Sequence, residues 1–355
     1  MIQKHASIYD IAKEAGVSVA TVSRTINNPE KVSKRTKTKI YEIMERLNYA
    51  PNALAQSLVS RSTKTIGVFL SSVTNPFYAE MVQAIEQRAF NDNYTILFGN
   101  TSNRIEKEQK YVDVFLKKQV DGIILAGGRN INDAHTQHIL KTAERVPVIL
   151  TNYAVVGKNI YCVLTDEAAG TTMAVQHLIE TGHDKIAYIN GYEFSYPSVI
   201  KKDSYLKTLS RNGLSVNEER IVNAPADTME GGYKACEALL ERGADFNAIF
   251  AANDMMAIGA MKKLMSAGYG IPQDVAIVGY DNIHLCDYWS PALSSVTQNM
   301  DRLGNMAVEM LGSVLEGKEV NQISYLQPEL IVRESSAPAA DSVHRSASPA
   351  AEKRH

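Results

Sequence analysis

Between Thr65 and Gly279 short apolar runs alternate with segments of helical periodicity, and this alternation limits the possible folds of the 355-residue chain more than any other property. Ile66–Leu70, Thr95–Gly99, Gly122–Ala126 and Val275–Gly279 are short and apolar, as buried strands are. The segments 77–91 and 105–118 between them carry a helical period. Strands that alternate with helices pair in parallel, because each crossover returns the chain to the same sheet edge, so the expected class is a doubly wound α/β fold. The length of 65–334 suits two such lobes, with a ligand crevice where the strands end.

The first fifty residues follow another plan. Ser7 and Asp10 form a capping box before Ile8–Ala15, and Gly16 stops that helix. Ser18 caps a second helix, Val19–Asn27, closed by Pro29. Ser33 caps a third, from Lys34 to about Leu47, with the stripe Ile40, Ile43, Met44 and Leu47. Two short helices joined by a tight turn and braced by a third form a helix-turn-helix domain, placed at 1–50. Charge separates the two parts. Residues 1–64 carry eleven lysines and arginines against five acids, a net +6, which leaves −8 on the remainder of a chain whose total is −2. A basic head before an acidic body points to a polyanion partner for the head.

On the second helix Val17, Val22 and Ile26 can face the small core, which leaves Val19, Ala20, Ser23, Arg24 and Asn27 outward. Val19 and Ala20 offer apolar contact to a base such as a thymine methyl. Arg24 can read a guanine edge or hold a phosphate. Ser18, Thr21 and the helix N-terminus supply donors for backbone phosphates, with Ser23 and Asn27 beside them. Asn52–Ser60 has helical periodicity over barely two turns, too short to be stable alone, and 51–64 reads as a hinge and linker.

The segment from Ser335 to His355 is rich in Ala, Ser and Pro without periodicity, and a disordered tail is expected there. No apolar run reaches the roughly 20 residues of a membrane span, and the N-terminus lacks the apolar core of a secretory signal, so a cytoplasmic protein is expected. Cys162, Cys236 and Cys286 are widely spaced with no paired motif, as buried reduced thiols are. No cofactor or metal is implied, and enzyme signatures are lacking. Gly312 to Lys318 imitates a phosphate-binding loop, but Glu319 stands where a magnesium-holding Ser or Thr is needed, and the segment follows a helical run.

The sequence I-Y-D-I-A-K-E-A-G-V-S-V-A-T-V-S-R-T-I-N (8–27), with Y-A-P-N-A-L-A-Q-S-L (49–58), closely resembles the head and hinge of the lactose repressor and galactose repressor (LacI/GalR) family. The likeness continues through N-P-F-Y-A-E (75–80), V-D-G-I-I (120–124), T-D-E-A-A-G (165–170), H-L-I-E-T-G-H (177–183), A-N-D-M-M-A-I-G-A (252–260) and I-P-Q-D-V-A-I-V-G-Y-D-N (271–282). The resemblance implies a homodimeric repressor of carbohydrate or sugar-acid genes that binds a pseudo-palindromic operator. It adds Tyr9 to the phosphate contacts. It also implies a hinge helix, ordered on DNA, that lays Asn52, Ala55 and the wedge Leu58 in the minor groove.

For the body the resemblance implies a periplasmic-binding-protein-like core with crossovers near 161–165, 292–297 and 320–325. The N-lobe would take 65–161 and 294–322, and the C-lobe 163–292 and 323–334. Effector contacts carry over to Asn75, Phe77, Tyr78, Asn152, Lys201, Asn253 and Asp281, a set suited to a sugar or sugar derivative. His177 and His183 carry over as structural residues. Two positions depart from the family, Asn152 where Asp is usual and Lys201 where Arg is usual. Losing an acid while keeping a cation makes the expected site more positive and suggests an anionic ligand.

Overall fold

A computed structural model describes residues 6–50, 62–127, 133–193 and 195–337. The hinge residues Asn52, Ala55 and Leu58 and the tail from 338 lie outside the described residues. In the head the capped segments are helices α1 (Ile8–Ala15), α2 (Val19–Asn27) and α3 (Lys34–Arg46). Both halves of the capping box form: Ser7 Oγ accepts the Asp10 amide and the Asp10 carboxylate accepts the Ser7 amide at 2.8 Å. Ser18 and Ser33 likewise accept the amides of Thr21 and Thr36, and Gly16 turns the chain at φ +68°. Ile11, Ala12, Ala15, Val22, Ile40, Ile43 and Met44 form the head's core.

The body is the doubly wound α/β structure expected, in two six-stranded sheets. The first sheet has the order β11-β5-β4-β3-β1-β2, made of β1 (Thr65–Leu70), β2 (Thr95–Asn100), β3 (Gly122–Ala126), β4 (Val148–Thr151), β5 (Ile160–Thr165) and β11 (Ile323–Leu326). The second has the order β12-β10-β9-β8-β6-β7, made of β6 (Ile186–Asn190), β7 (Ile221–Asn223), β8 (Ala248–Ala251), β9 (Ala276–Asp281), β10 (Ser294–Thr297) and β12 (Glu329–Ile331). Strand order reverses beside β1 in one sheet and beside β6 in the other, and loops diverge at those points to leave a crevice.

The helices that matter below are α4 (Pro76–Asn91), α5 (Ile105–Lys117), α6 (Asp133–Ala143), α7 (Glu167–Glu180), α8 (Tyr196–Arg211), α9 (Met229–Glu241), α10 (Asp254–Ser266), α11 (Leu285–Tyr288) and α12 (Met300–Leu315). Gly312 lies inside α12, so the phosphate-loop imitation is the end of a helix. The three cysteines are buried and free. Among the described residues no helix is long and apolar enough to cross a membrane.

Three expectations about the body need correction. The crossovers fall at 166, 298–299 and 327–328, slightly beyond each expected window. As a result β10 belongs to the second lobe, pairing with β9 and β12, and β11 to the first, pairing with β5; both had been assigned to the opposite lobes. The packed chain also runs past residue 334. Ser335 and Ser336 are buried, with Ser335 Oγ donating to the Ile277 carbonyl at 2.6 Å and His177 Nε2 2.8 Å from Ser336 Oγ. Polar residues can be interior when every hydroxyl finds a partner.

Packing in the second lobe depends on one close helix pair. A Cβ on Gly259 of α10 would lie 1.9 Å from the Met229 carbonyl oxygen, and one on Gly232 of α9 2.1 Å from the Met256 carbonyl oxygen. Neither backbone can yield without separating the helices. Gly259→Ala is therefore expected to lower stability by about 1–3 kcal/mol, the usual cost of overpacking, read as a lower urea midpoint at unchanged slope.

Candidate effector cleft and DNA-reading helix

The crevice between the lobes of the body encloses about 500 Å³, and all seven carried-over effector residues line it: Asn75, Phe77, Tyr78, Asn152, Lys201, Asn253 and Asp281. Their chemistry differs from residue to residue. Asn75 and Asn253 each cap a helix, with Oδ1 accepting the Phe77 amide at 3.0 Å and the Met256 amide at 2.8 Å, which leaves their Nδ2 groups as donors. Phe77 is 5% exposed and belongs mainly to the core, whereas Tyr78 is half-buried and packs over Gly127.

Asn152 departs most from expectation. Its Oδ1 accepts the Thr165 amide at 3.2 Å and its Nδ2 donates to Gln298 Oε1 at 2.7 Å. Gln298 Nε2 then donates to Asp281 Oδ1 at 2.6 Å. Asn152 thus begins a relay from β4 through the 298–299 crossover to the end of β9, and acts on the cleft by positioning Asp281. Gln298 was not anticipated, because it lies in the 298–299 crossover, one residue past the window expected for that crossover.

Lys201, rather than the neighbouring Lys202, lines the cleft. Its ammonium donates to the Ala252 carbonyl at 2.9 Å, lies 3.5 Å from the centre of the Tyr280 ring, and is 3.3 Å from Glu167 Oε2. Glu167 was also missed by sequence reasoning, although it stands in the T-D-E-A-A-G segment. Both its oxygens are buried without a hydrogen bond. Asn100 Oδ1 and Asn103 Oδ1, which line the same cleft, are also buried and unsatisfied. Among the described residues the cleft's buried atoms without a hydrogen bond are all acceptors, Asn100 Oδ1, Asn103 Oδ1 and the Glu167 carboxylate that Lys201 pairs, and a ligand that satisfies them must bring donors. The charged lining residues are Lys201 against Glu167, Asp227 and Asp281, which removes the positive balance expected from the sequence.

Burial, reinforced by the nearby Asp254 carboxylate and opposed by Lys201, pushes Asp281 well above the usual carboxylate range. Asp254, which accepts from Ser295 Oγ and the Ile283 amide, is pushed up to about 6 by its own burial. An acid whose folded pKa is raised contributes stability that is present below its unfolded value and is lost as pH rises through the folded one. Asp281→Asn keeps an acceptor for Gln298 and removes that loss. The variant should match the native chain near pH 4 and unfold at higher temperature at pH 8, by roughly 2–4 °C per kcal/mol gained in a domain of this size. An equal shift at both pH values would contradict the assignment.

On the head, Ala20 and Arg24 are exposed on α2, and Tyr9 is 70% exposed on α1. Ser18 is exposed too, with its hydroxyl engaged by Thr21. Val19 is only half-exposed, because it packs on the head's core. Thr21, Ser23 and Asn27 are likewise half-buried, with Asn27 Nδ2 donating to Ser23 Oγ at 3.3 Å. The fully presented side chains of α2 are thus fewer than the sequence suggested. Thr25, unnoticed in the sequence, is buried with its hydroxyl turned back to the Thr21 carbonyl.

Residues 7–52 match the model of bacterial regulatory proteins of the lacI family, and 175–336 match that of a periplasmic binding protein-like domain. Catabolite control protein A of Priestia megaterium is 36% identical over 318 residues, covering 89% of this chain and 95% of that one. The transcriptional repressor PurR of Histophilus somni (strain 129Pt) is 31% identical over 332 residues, covering 93% and 98%. The chain belongs to the LacI family. Among solved structures it is similar to the lac repressor dimer bound to operator and the anti-inducer ONPF, with TM-score 0.85, 27% identity, and 94% and 99% of the two chains covered. It is also similar to a complex of the transcriptional regulator CelR with cellobiose, with TM-score 0.70, 28% identity, and coverage of 93% and 99%. This LacI-family chain is a DNA-binding transcriptional repressor with an effector-binding domain, and the curated relatives named here are regulators, not enzymes.

Proposed function

We propose that this repressor acts in the cytoplasm as a homodimer on a pseudo-palindromic operator and controls carbohydrate catabolic genes in response to an uncharged sugar or sugar derivative. The buried amide oxygens of Asn100 and Asn103, which lack a hydrogen bond, carry the ligand assignment, with the Glu167 carboxylate beside them as a further acceptor. Sugar hydroxyls supply donors to these atoms and accept from the Nδ2 ends of Asn75 and Asn253, while Tyr78 offers an apolar face. The excess of carboxylates over Lys201 disfavours the anionic effector that the sequence alone suggested. Cellobiose in the related CelR complex is a ligand of this kind.

At the head, Ala20 and Arg24 read base edges, with Val19 at the margin. Tyr9, Ser18, Thr21, Ser23 and Asn27 serve the phosphates. Asn52, Ala55 and Leu58 enter the minor groove, where insertion of Leu58 costs unstacking energy of a few kcal/mol that the added contacts offset. The effector shifts operator affinity only to the extent that it binds one lobe arrangement better than the other.

Capture of the DNA bound by the tagged protein in its own cells tests the whole scheme. A palindromic motif beside sugar-catabolic genes is the expected result, followed by calorimetric binding of the sugar those genes consume. A motif beside genes of unrelated chemistry would keep the operator assignment and remove the carbohydrate one.

A further inference from the structure

The lobes of the body are joined covalently at three crossovers, and a side-chain contact far from them in sequence joins them again. Glu80 belongs to α4 of the first lobe, and His284 follows β9 in the second. His284 Nδ1 lies 2.6 Å from Glu80 Oε1, and the His284 amide donates to the same oxygen at 3.2 Å. One carboxylate of the first lobe thus receives two hydrogen bonds from the second. The geometry requires the Nδ1 proton, which both the Nδ1-H neutral tautomer and the imidazolium carry.

The position of this contact gives it consequence. Glu80 is two residues beyond Tyr78, and His284 three beyond Asp281, and both Tyr78 and Asp281 line the cleft. A ligand spanning Tyr78 and Asp281 draws together the same two segments that Glu80 and His284 already join. We infer that Glu80 and His284 form a clasp that holds the unliganded cleft partly closed and positions Tyr78 against Asp281 for the effector. The inference rests on the cleft being the effector site. Both side chains reach solvent, His284 at 61% and Glu80 at 26% exposure, so the clasp is weak and reversible, as a device that must open for ligand entry should be. A small bias is enough, because the population of the closed form scales directly with the contact's equilibrium constant.

Hydrogen exchange of the full chain without ligand tests the clasp. Glu80→Ala and His284→Ala should each speed exchange in the 71–78 and 282–286 segments by about two- to fivefold, the range of a weak exposed pair. The double variant should be no faster than Glu80→Ala, which already removes both hydrogen bonds, whereas His284→Ala alone keeps the amide one. Exchange in the strand cores of β1 and β9 should not change, which separates clasp loss from general destabilisation. A charge-reversed pair, Glu80→Lys with His284→Glu, should restore part of the slow exchange that Glu80→Lys alone abolishes, since the side-chain attraction returns but the amide loses its acceptor. Unchanged exchange in the single variants, additive effects in the double variant, or failure of the reversed pair to restore protection would each overturn the clasp. None of these measurements involves an effector, so their failure leaves the ligand assignment standing, and a wrong ligand leaves them readable.

Discussion

Lys201→Met is expected to destabilise the body by about 3–5 kcal/mol, the range for removing one partner of a buried ion pair. Lys201 is 4% exposed and its ammonium meets three groups at once: the Ala252 carbonyl at 2.9 Å, the Tyr280 ring and Glu167. Methionine fills most of the volume, so little of the effect comes from a cavity. What remains is Glu167, a buried carboxylate with neither oxygen hydrogen-bonded, now without its counter-charge. Such a group costs far more than the lost attraction, because low polarizability around it stabilises no charge.

Chemical unfolding measures the loss directly. Adding Glu167→Gln to Lys201→Met removes the stranded charge and should recover a large part of it, and this non-additivity is the signature of a pair. A loss under about 1 kcal/mol for Lys201→Met alone would mean that solvent reaches the pair and that Lys201 is a free cation for ligands after all.

The parts of this molecule that were legible in the sequence are those fixed by near neighbours. Ser7 and Asp10 are three residues apart, and both of their hydrogen bonds form. Apolar runs such as Gly122–Ala126 became strands with matching limits, since a short buried run between helices has few alternatives. The cleft residues were reached through the family resemblance, and Asn152, Asn253 and Asp281 among them sit at or just beyond strand ends, where a doubly wound sheet opens.

What stayed hidden depends on pairings across long stretches of chain. β10 and β11 are four residues each, and nothing in S-S-V-T or I-S-Y-L tells which sheet will receive it. Ser294 and Ser295 are polar, yet both are buried, and Ser295 Oγ donates to the Asp254 carboxylate. Gln298 meets Asn152 across 146 residues and Asp281 across 17, so its role exists only in the folded lobes. Glu167 was visible but ambiguous, because an acid in the first turn of a helix is also what the helix dipole favours. Its burial, which no local pattern encodes, makes it a candidate ligand group.

For the head, Arg24→Ala should cost about 1–3 kcal/mol on the preferred operator, roughly 10- to 200-fold in affinity, while binding to unrelated DNA stays nearly unchanged. Arg24 is exposed near the end of α2, so the fold has little to lose beyond a small change in helix propensity. Its neighbours on the same face are less free. Val19 is partly committed to packing, Thr21 to the hydroxyl of Ser18, and Asn27 to Ser23. Among the exposed side chains of α2, Ala20 can offer only a methyl contact and Ser18 is engaged in its cap, which leaves Arg24 as the group able to make two directed bonds to one base. Sites selected from random duplexes by the native and Arg24→Ala proteins should therefore differ at one base pair in each half-site, with the other positions preserved. The salt dependence of binding distinguishes the two uses of an arginine. A base-reading Arg24 leaves the slope of affinity against salt almost as it was, whereas a phosphate-bound one lowers it by about one and weakens all sequences alike. The second pattern would transfer sequence reading from Arg24 to the hinge and to the smaller side chains of the helix.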